Sequence, residues 1–363
     1  MSGTKKITAL QLYFILILSI GITNHVLLIP VLLHFGKRDS WFGAAVSLIP
    51  LLIWVCLLYI VVKRTKQQYM MEWIKRKFGK VTVFPFKLGL IAICFVNAII
   101  TIKDMVTWTH VTYLPRTPPF MISLLFIVFC FFAARSGLRA IAITAGILLP
   151  AVVLLGYFVM GTNFQYKDYS LLIPLFTHGY GPTLTSIMLT CGASFELLAI
   201  VFLQHHVDTR IRLSALLILA ACVIGLTIGP LTGCIAIFGP FEAADLRYPA
   251  FEQWRMVTLG KYISHLDFLS IFQWISGACV RTSMLMFLSV DVIGIQKKRT
   301  RTLTLLGISL LFLVVSMYPI TDNQMVHMLQ NRYYPIMFGI GLGLLLVLLV
   351  MSILPGKRKE KNA

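Results

Sequence analysis

Long apolar runs separated by short polar connections dominate the chain. Ten runs approach or exceed the roughly 20 residues that a helix needs to cross a bilayer. They cover residues 10–33, 42–62, 82–102, 119–134, 140–160, 183–204, 213–239, 266–288, 302–320 and 333–354. The runs are unbroken rather than alternating, which predicts helices and excludes the strands of an outer-membrane barrel. The first run is longer than the apolar segment of a cleavable signal peptide, so it is expected to stay as a span. No low-complexity linker or soluble domain interrupts the pattern. The expectation is an all-α polytopic membrane protein with a single integral membrane domain over residues 1–363.

Composition agrees with the pattern. Of the 363 residues 58% are hydrophobic and 12% charged, against roughly a quarter charged in soluble domains. A water-soluble enzyme and a disordered chain are both excluded. The net charge of +19, from 32 Lys and Arg against 13 Asp and Glu, would point to nucleic acid in a soluble protein. Its distribution gives another explanation. With the N-terminus inside, 21 Lys and Arg fall in the inner connections and nine in the outer ones. That asymmetry predicts both termini in the cytoplasm and an even number of spans. The basic clusters then record topology and contact with anionic membrane lipid, with no nucleic-acid partner.

The connections carry few further signals. The inner loop 63–80 is basic and flanked by Tyr69, Trp73 and Phe78, and is expected at the headgroup surface. In the outer loop 240–265 the stretch Pro249 to Ile263 reads as a short amphipathic helix. The apolar run Tyr169–Phe176 is too short to span and reads as interfacial or re-entrant. The seven cysteines lie inside apolar runs without a CxxC pair, so neither disulfides nor a metal site is expected. His205 and His206 are neighbours whose side chains should diverge by about 100° on a helix, a poor metal geometry. Gly339, Gly341 and Gly343 mimic a phosphate loop but lack a preceding strand. Gly339 and Gly343, four apart, instead suggest a helix-packing face. No cofactor is implied.

Ten spans divide into two halves of five, about residues 7–160 and 183–354. Five is odd, so the halves would be inverted relative to each other, as in many secondary transporters with broken helices at matching places. Spans one and six begin the two halves. Each has a mid-span glycine (Gly21, Gly192), a hydroxyl residue two positions on (Thr23, Ser194) and an ionisable residue four positions on (His25, Glu196). Glycine is a weak helix former, and Ser, Thr and Asn offer the backbone competing hydrogen bonds. An unwound turn is expected at both places, although a lone glycine also serves as a close-packing site.

At this point the chain resembles a family. Ile7-Thr8-Ala9-Leu10-Gln11-Leu12, then Ile20-Gly21-Ile22, Leu28-Ile29-Pro30 and Phe195-Glu196-Leu197-Leu198 are similar to the B-subunit of endospore nutrient germinant receptors. These spore germination proteins belong to the amino acid–polyamine–organocation transporter superfamily. The likeness covers nearly the whole chain. Thr23-Asn24-His25 departs from it, where many relatives have a second small residue. The resemblance implies a 5+5 inverted repeat with broken helices 1 and 6 and a small nutrient, such as an amino acid, bound near the bilayer midplane. It also implies a membrane-anchored A-subunit and a C-subunit lipoprotein as partners, in the spore inner membrane.

Glu196 is the only acidic residue deep inside an expected span. A charge at the bilayer centre costs at least about 2.5–3.5 kcal/mol, so it should face the interior. It is a candidate for binding a ligand amine or taking up a proton; a neutral structural carboxylic acid is the alternative. Gly21, Ile22, Thr23 and Asn24 would offer freed backbone N–H groups to a ligand carboxylate, with Gly192, Ala193 and Ser194 as the opposite wall. Asn97 and Thr101, one turn apart in span three, could line the same pocket or bond to neighbouring helices. In related folds spans one and eight hold a sodium ion. Arg281 in span eight could take that place, pair with Glu196, or snorkel to the inner interface. Lys87 should snorkel. The expected function is a non-catalytic nutrient sensor, with a proton-coupled amino acid permease as the alternative and a membrane-embedded enzyme as a distant third.

Overall fold

The computed structural model describes residues 6–177, 179–260 and 264–355. Lys5, Lys261, Ile263 and the basic tail residues Lys357, Arg358, Lys359 and Lys361 lie outside the described residues. Among those described, no β-strand forms. Nine helical stretches among the described residues are long and apolar enough to cross a membrane, so the protein is an all-helical integral membrane protein.

A capping box opens the first stretch. The Thr8 hydroxyl accepts from the Gln11 N–H, and the Gln11 side chain accepts from the Thr8 N–H. Helix α1 (Ala9–Gly21) passes through a wide turn, Ile22–Leu27, into α2 (Leu28–Gly36). At Lys37 the backbone takes φ +43°, a conformation that ends regular helix. Helices α3 (Ser40–Val46) and α4 (Leu48–Thr65) follow. The stretch Ala9–Thr65 counts as one span by length and composition. Its 57 residues would rise about 86 Å as a straight helix, far beyond a bilayer.

Helix α5 (Met70–Phe78) buries Met70, Met71 and Ile74 and ends in Lys75, Arg76 and Lys77. It is amphipathic, as the basic loop 63–80 suggested. Helix α6 (Lys80–Thr112) runs ten residues beyond the expected span and takes Lys103 and Asp104 into the helix. Helices α7 (Pro119–Ser136) and α8 (Leu138–Thr162) precede α9 (Gly181–Ser194). The segment between α8 and α9 forms two short turns. It docks on the Lys37 region, where Trp41 Nε1 donates to the Leu172 carbonyl and the Phe176 N–H to Asp39.

After α9 the chain continues through a tight turn, Phe195–Leu198, into α10 (Ala199–Leu203). Then come α11 (Leu213–Phe238), α12 (Glu242–Asp245) and α13 (Pro249–Arg255). The amphipathic helix expected from Pro249 onwards therefore stops at Arg255, where Met256 caps it. The last elements are α14 (Leu269–Ile293), α15 (Lys298–Ser316), α16 (Asp322–Met328) and α17 (Tyr334–Ile353).

Two helices form the inner wall. Nearly all of α14 after Trp274 is buried, and so is the run Leu189–Phe195. Helix α14 packs along α6, α1, α7 and α8, while α9 packs on α17, α3 and α2. Small residues set the closest crossings. A Cβ on Gly277 would sit 2.7 Å from Ile22 Cδ1 and 3.2 Å from the Leu18 carbonyl. A Cβ on Gly192 would sit 2.5 Å from the Tyr334 carbonyl. Gly339 and Gly343 meet nothing, and the expected packing face falls on Gly341 instead, whose Cβ would strike Phe195 at 2.5 Å. The reason is rotational: Phe195 is stacked between Trp54 and Phe338, and only Gly341 faces it.

Candidate functional site

The site is built where the helix pattern changes. At Ile22–Leu27 the ladder widens, so that the Leu28 N–H reaches the Thr23 carbonyl five residues back. At Phe195–Leu198 it tightens into a 3₁₀ turn. The chain does not unwind at either place, as the glycines suggested it would. It keeps a helical path and changes its hydrogen-bond spacing, a device common at functional sites.

The two irregular turns face each other. Glu196 Oε1 accepts from the Ser19 hydroxyl at 2.5 Å, and Thr23 Oγ1 lies 3.5 Å from Oε2. Arg281 Nη1 lies 2.5 Å from Glu196 Oε2. The same Nη1 donates to the Ser19 carbonyl at 2.9 Å and to the Thr23 hydroxyl. Arg281 Nη2 donates to Asn97 Oδ1 at 2.6 Å, and the Tyr333 hydroxyl donates to that oxygen at 2.7 Å. The close α1–α14 approach at Gly277, one turn before Arg281, lets the guanidinium reach the Ser19 carbonyl.

Arg281 is fully buried and Glu196 is 11% exposed. Snorkelling is therefore not what Arg281 does. The helix continues to Ile293, leaving about 18 Å to its end, more than an arginine stem can span. Lys87, nearer its helix end, does reach out and caps the Ile293 carbonyl at 2.8 Å.

The remaining expected residues fall into two groups. Asn24 Nδ2 donates to Ser194 Oγ and Thr227 Oγ1, both at 3.1 Å, and so fastens α9 and α11 to the wide turn. His25 Nδ1 pairs with the Leu226 carbonyl at 3.2 Å. Gly21, Ile22, Gly192 and Ala193 contribute backbone and packing, Gly192 against α17 rather than a pocket. Thr101 donates to the Asn97 carbonyl of its own helix at 2.8 Å and stays outside the network.

Ser19 and Tyr333 belong to the network but were not singled out by the sequence. The signal for Ser19 was its place four residues before Thr23, hence on the same helix face. Tyr333 ends a second wide turn, Leu329–Tyr333. It also lines an apolar groove of about 930 Å³ between α6 and α17, bounded by Phe86, Ile93, Lys103, Arg332 and Met337. No expected site residue lines that groove.

Two further clusters sit at the ends of the bundle. Asp104, buried in α6, meets Arg247 of the 240–265 loop at 2.6 Å, and Arg247 also reaches Asp322 at 3.4 Å. His205 and His206, expected to diverge, converge instead, with ring centroids 3.9 Å apart. Both are drawn to the Asp291 carboxylate, at 3.3 and 3.1 Å.

Residues 6–325 match the family model described as spore germination protein. The chain belongs to the spore germination protein family. It is 38% identical to "Spore germination protein XB" of Bacillus anthracis, over 97% of this chain and 98% of that one. The opening motif and the Phe195–Leu198 turn, from which the likeness was first drawn, lie inside the matched region.

Proposed function

We propose that this chain is the nutrient-sensing subunit of a spore germinant receptor, with ten transmembrane helices in a 5+5 inverted repeat. On this reading the stretch Ala9–Thr65 crosses twice, with the Lys37–Asp39 turn between the crossings. The irregular turns after Gly21 and Gly192 then fall on the first helix of each half, as matched breaks do in inverted-repeat transporters. Both termini are cytoplasmic, the membrane is the spore inner membrane, and the chain is not an enzyme.

The observation that carries the reading is the buried Glu196–Arg281 pair, held between the two irregular turns. An amino acid is a zwitterion, complementary to both members. Its carboxylate can take the place of Glu196 on Arg281, and its ammonium the place of Arg281 on Glu196. Ser19 and Thr23 supply hydroxyls to either partner, and Asn97 orients the guanidinium. Backbone at Gly21, Ile22, Gly192 and Ala193 shapes the space, with Asn24 and Ser194 bracing it and Thr101 beside it. Separating the pair frees α14 from the α1–α9 turns. That change is what the chain passes to its partners, an A-subunit membrane protein and a C-subunit lipoprotein.

Spores carrying Glu196→Gln or Arg281→Gln test this against a panel of amino acids. The expected result is loss of the nutrient response with the protein still present in the membrane. Full sensitivity in both variants overturns the site. Saturable uptake of a labelled amino acid by vesicles holding this chain alone would make it a proton-coupled permease of the same fold.

A further inference from the structure

The His205–His206–Asp291 cluster is remote from the Glu196–Arg281 network yet sits on the same two apolar stretches, Gly181–His206 and Leu266–Ile293. His206 lies ten residues beyond Glu196 and Asp291 ten residues beyond Arg281, the latter about 15 Å along α14. We propose that these three side chains bind a divalent first-row transition metal ion of the zinc class. The bound ion would clamp the ends of the segments that carry the central pair.

Geometry is the first ground. One atom from each side chain lies within 4.8 Å of the others. His205 Nε2 stands 3.3 Å and His206 Nε2 3.1 Å from the Asp291 oxygens. Ligands about 2.0–2.1 Å from a tetrahedral zinc ion are about 3.3 Å from one another, so the present spacing needs little adjustment. Two imidazoles and a carboxylate form a three-ligand set that leaves the fourth position for water or another ligand.

The second ground is an imperfectly satisfied atom. Asp291 Oδ2 is buried and meets His205 Nε2 at 3.3 Å without a well-directed hydrogen bond, and an under-satisfied buried carboxylate oxygen is costly. A cation between the rings and this carboxylate would satisfy it.

The third ground is the support around the set. The Tyr69 ring packs on His205 at 4.7 Å, and its hydroxyl donates to the Asp291 carbonyl at 2.8 Å. Phe287 walls His206 at 5.3 Å. The Ile7 N–H bonds the His206 carbonyl at 3.0 Å, and the Asp208 N–H returns to Ile7 at 3.0 Å. The segment leading into α1 is thus strapped to the histidine turn. Ligand orientation held by such contacts is what metal sites require. The two histidines are 18% and 20% exposed, open enough for an ion to enter.

The proposal does not depend on nutrient sensing and is tested apart from it. The full-length protein in detergent is stripped with EDTA and titrated with Co²⁺. The expected result is a ligand-field absorption spectrum that saturates at one cobalt per chain and is abolished by one equivalent of Zn²⁺. His206→Gln and Asp291→Asn should each weaken cobalt binding tenfold or more with an unchanged size-exclusion profile. Zn²⁺ should raise the melting temperature of the wild-type chain and not that of His206→Gln. Absence of a saturable cobalt spectrum in the wild type, which needs no variant to fold, overturns the site. Wild-type affinity in a His205→Gln/His206→Gln double variant overturns the assignment equally.

Discussion

Arg281 Nη1 and Glu196 Oε2 meet at 2.5 Å inside the helical bundle, one side chain fully buried and the other nearly so. A pair in this setting is held by mutual need. Each charge alone would face a low-dielectric interior, and removing one partner from a buried pair costs about 3–5 kcal/mol. Either single neutral variant, Glu196→Gln or Arg281→Gln, should therefore lower the melting temperature in detergent. The double neutral variant should recover most of the loss. Additive losses in the double variant would show that the two groups are not coupled.

The Ser19 hydroxyl donates the 2.5 Å bond to Glu196 Oε1. A hydrogen bond to a charged group contributes about 1.5–3 kcal/mol. Ser19→Ala removes that donor and little volume. It should shift the nutrient concentration for half-maximal germination while leaving the abundance of the protein near normal. Tyr333→Phe, which removes only the donor to Asn97, should act in the same direction with a smaller effect. An unchanged dose–response in both variants would separate these hydroxyls from the response.

Gly192 packs against the α17 backbone, with 2.5 Å between a built Cβ and the Tyr334 carbonyl. Backbone cannot swing aside as a side chain does. Gly192→Ala should cost about 1–3 kcal/mol through overpacking. Gly339→Ala, at a position with open space, is the control and should leave the melting temperature unchanged. Equal behaviour of the two variants would rule out close α9–α17 packing.

Much of this was legible along the chain. The apolar runs located the helices, and the Gly-x-hydroxyl pattern at Gly21 and Gly192 located both irregular turns. Helical periodicity says where a side chain faces but not what meets it. Arg281 was left with three destinies because its partner is set by tertiary packing. The end of α6 was misplaced for a related reason. Lys103 and Asp104 look like the edge of a span, yet the helix continues because Arg247 neutralises Asp104 from a distant loop. The convergence of His205 and His206 was hidden too, because a carboxylate on another helix draws both rings together.

The Arg247 contacts lead to a prediction at the bundle end that carries the 240–265 loop. Asp104 is 1% exposed at its side chain, and Arg247 reaches it at 2.6 Å while lying 4.4 Å over the Tyr248 ring. Burial alone would push the Tyr248 hydroxyl pKa up, and the nearby Asp104 charge pushes it the same way, so the ring stays neutral beside the guanidinium. Arg247→Ala strips the counter-charge from a buried carboxylate and loses the stacking on Tyr248. The expected cost is about 3–5 kcal/mol. Arg247→Ala combined with Asp104→Asn removes the uncompensated charge and should restore part of the melting temperature. Asp322, more exposed and 3.4 Å from Arg247, is solvent-screened, and Asp322→Asn should cost no more than about 1 kcal/mol. A loss for Asp322→Asn as large as for Arg247→Ala would mean that the loop is anchored through α16 rather than through α6.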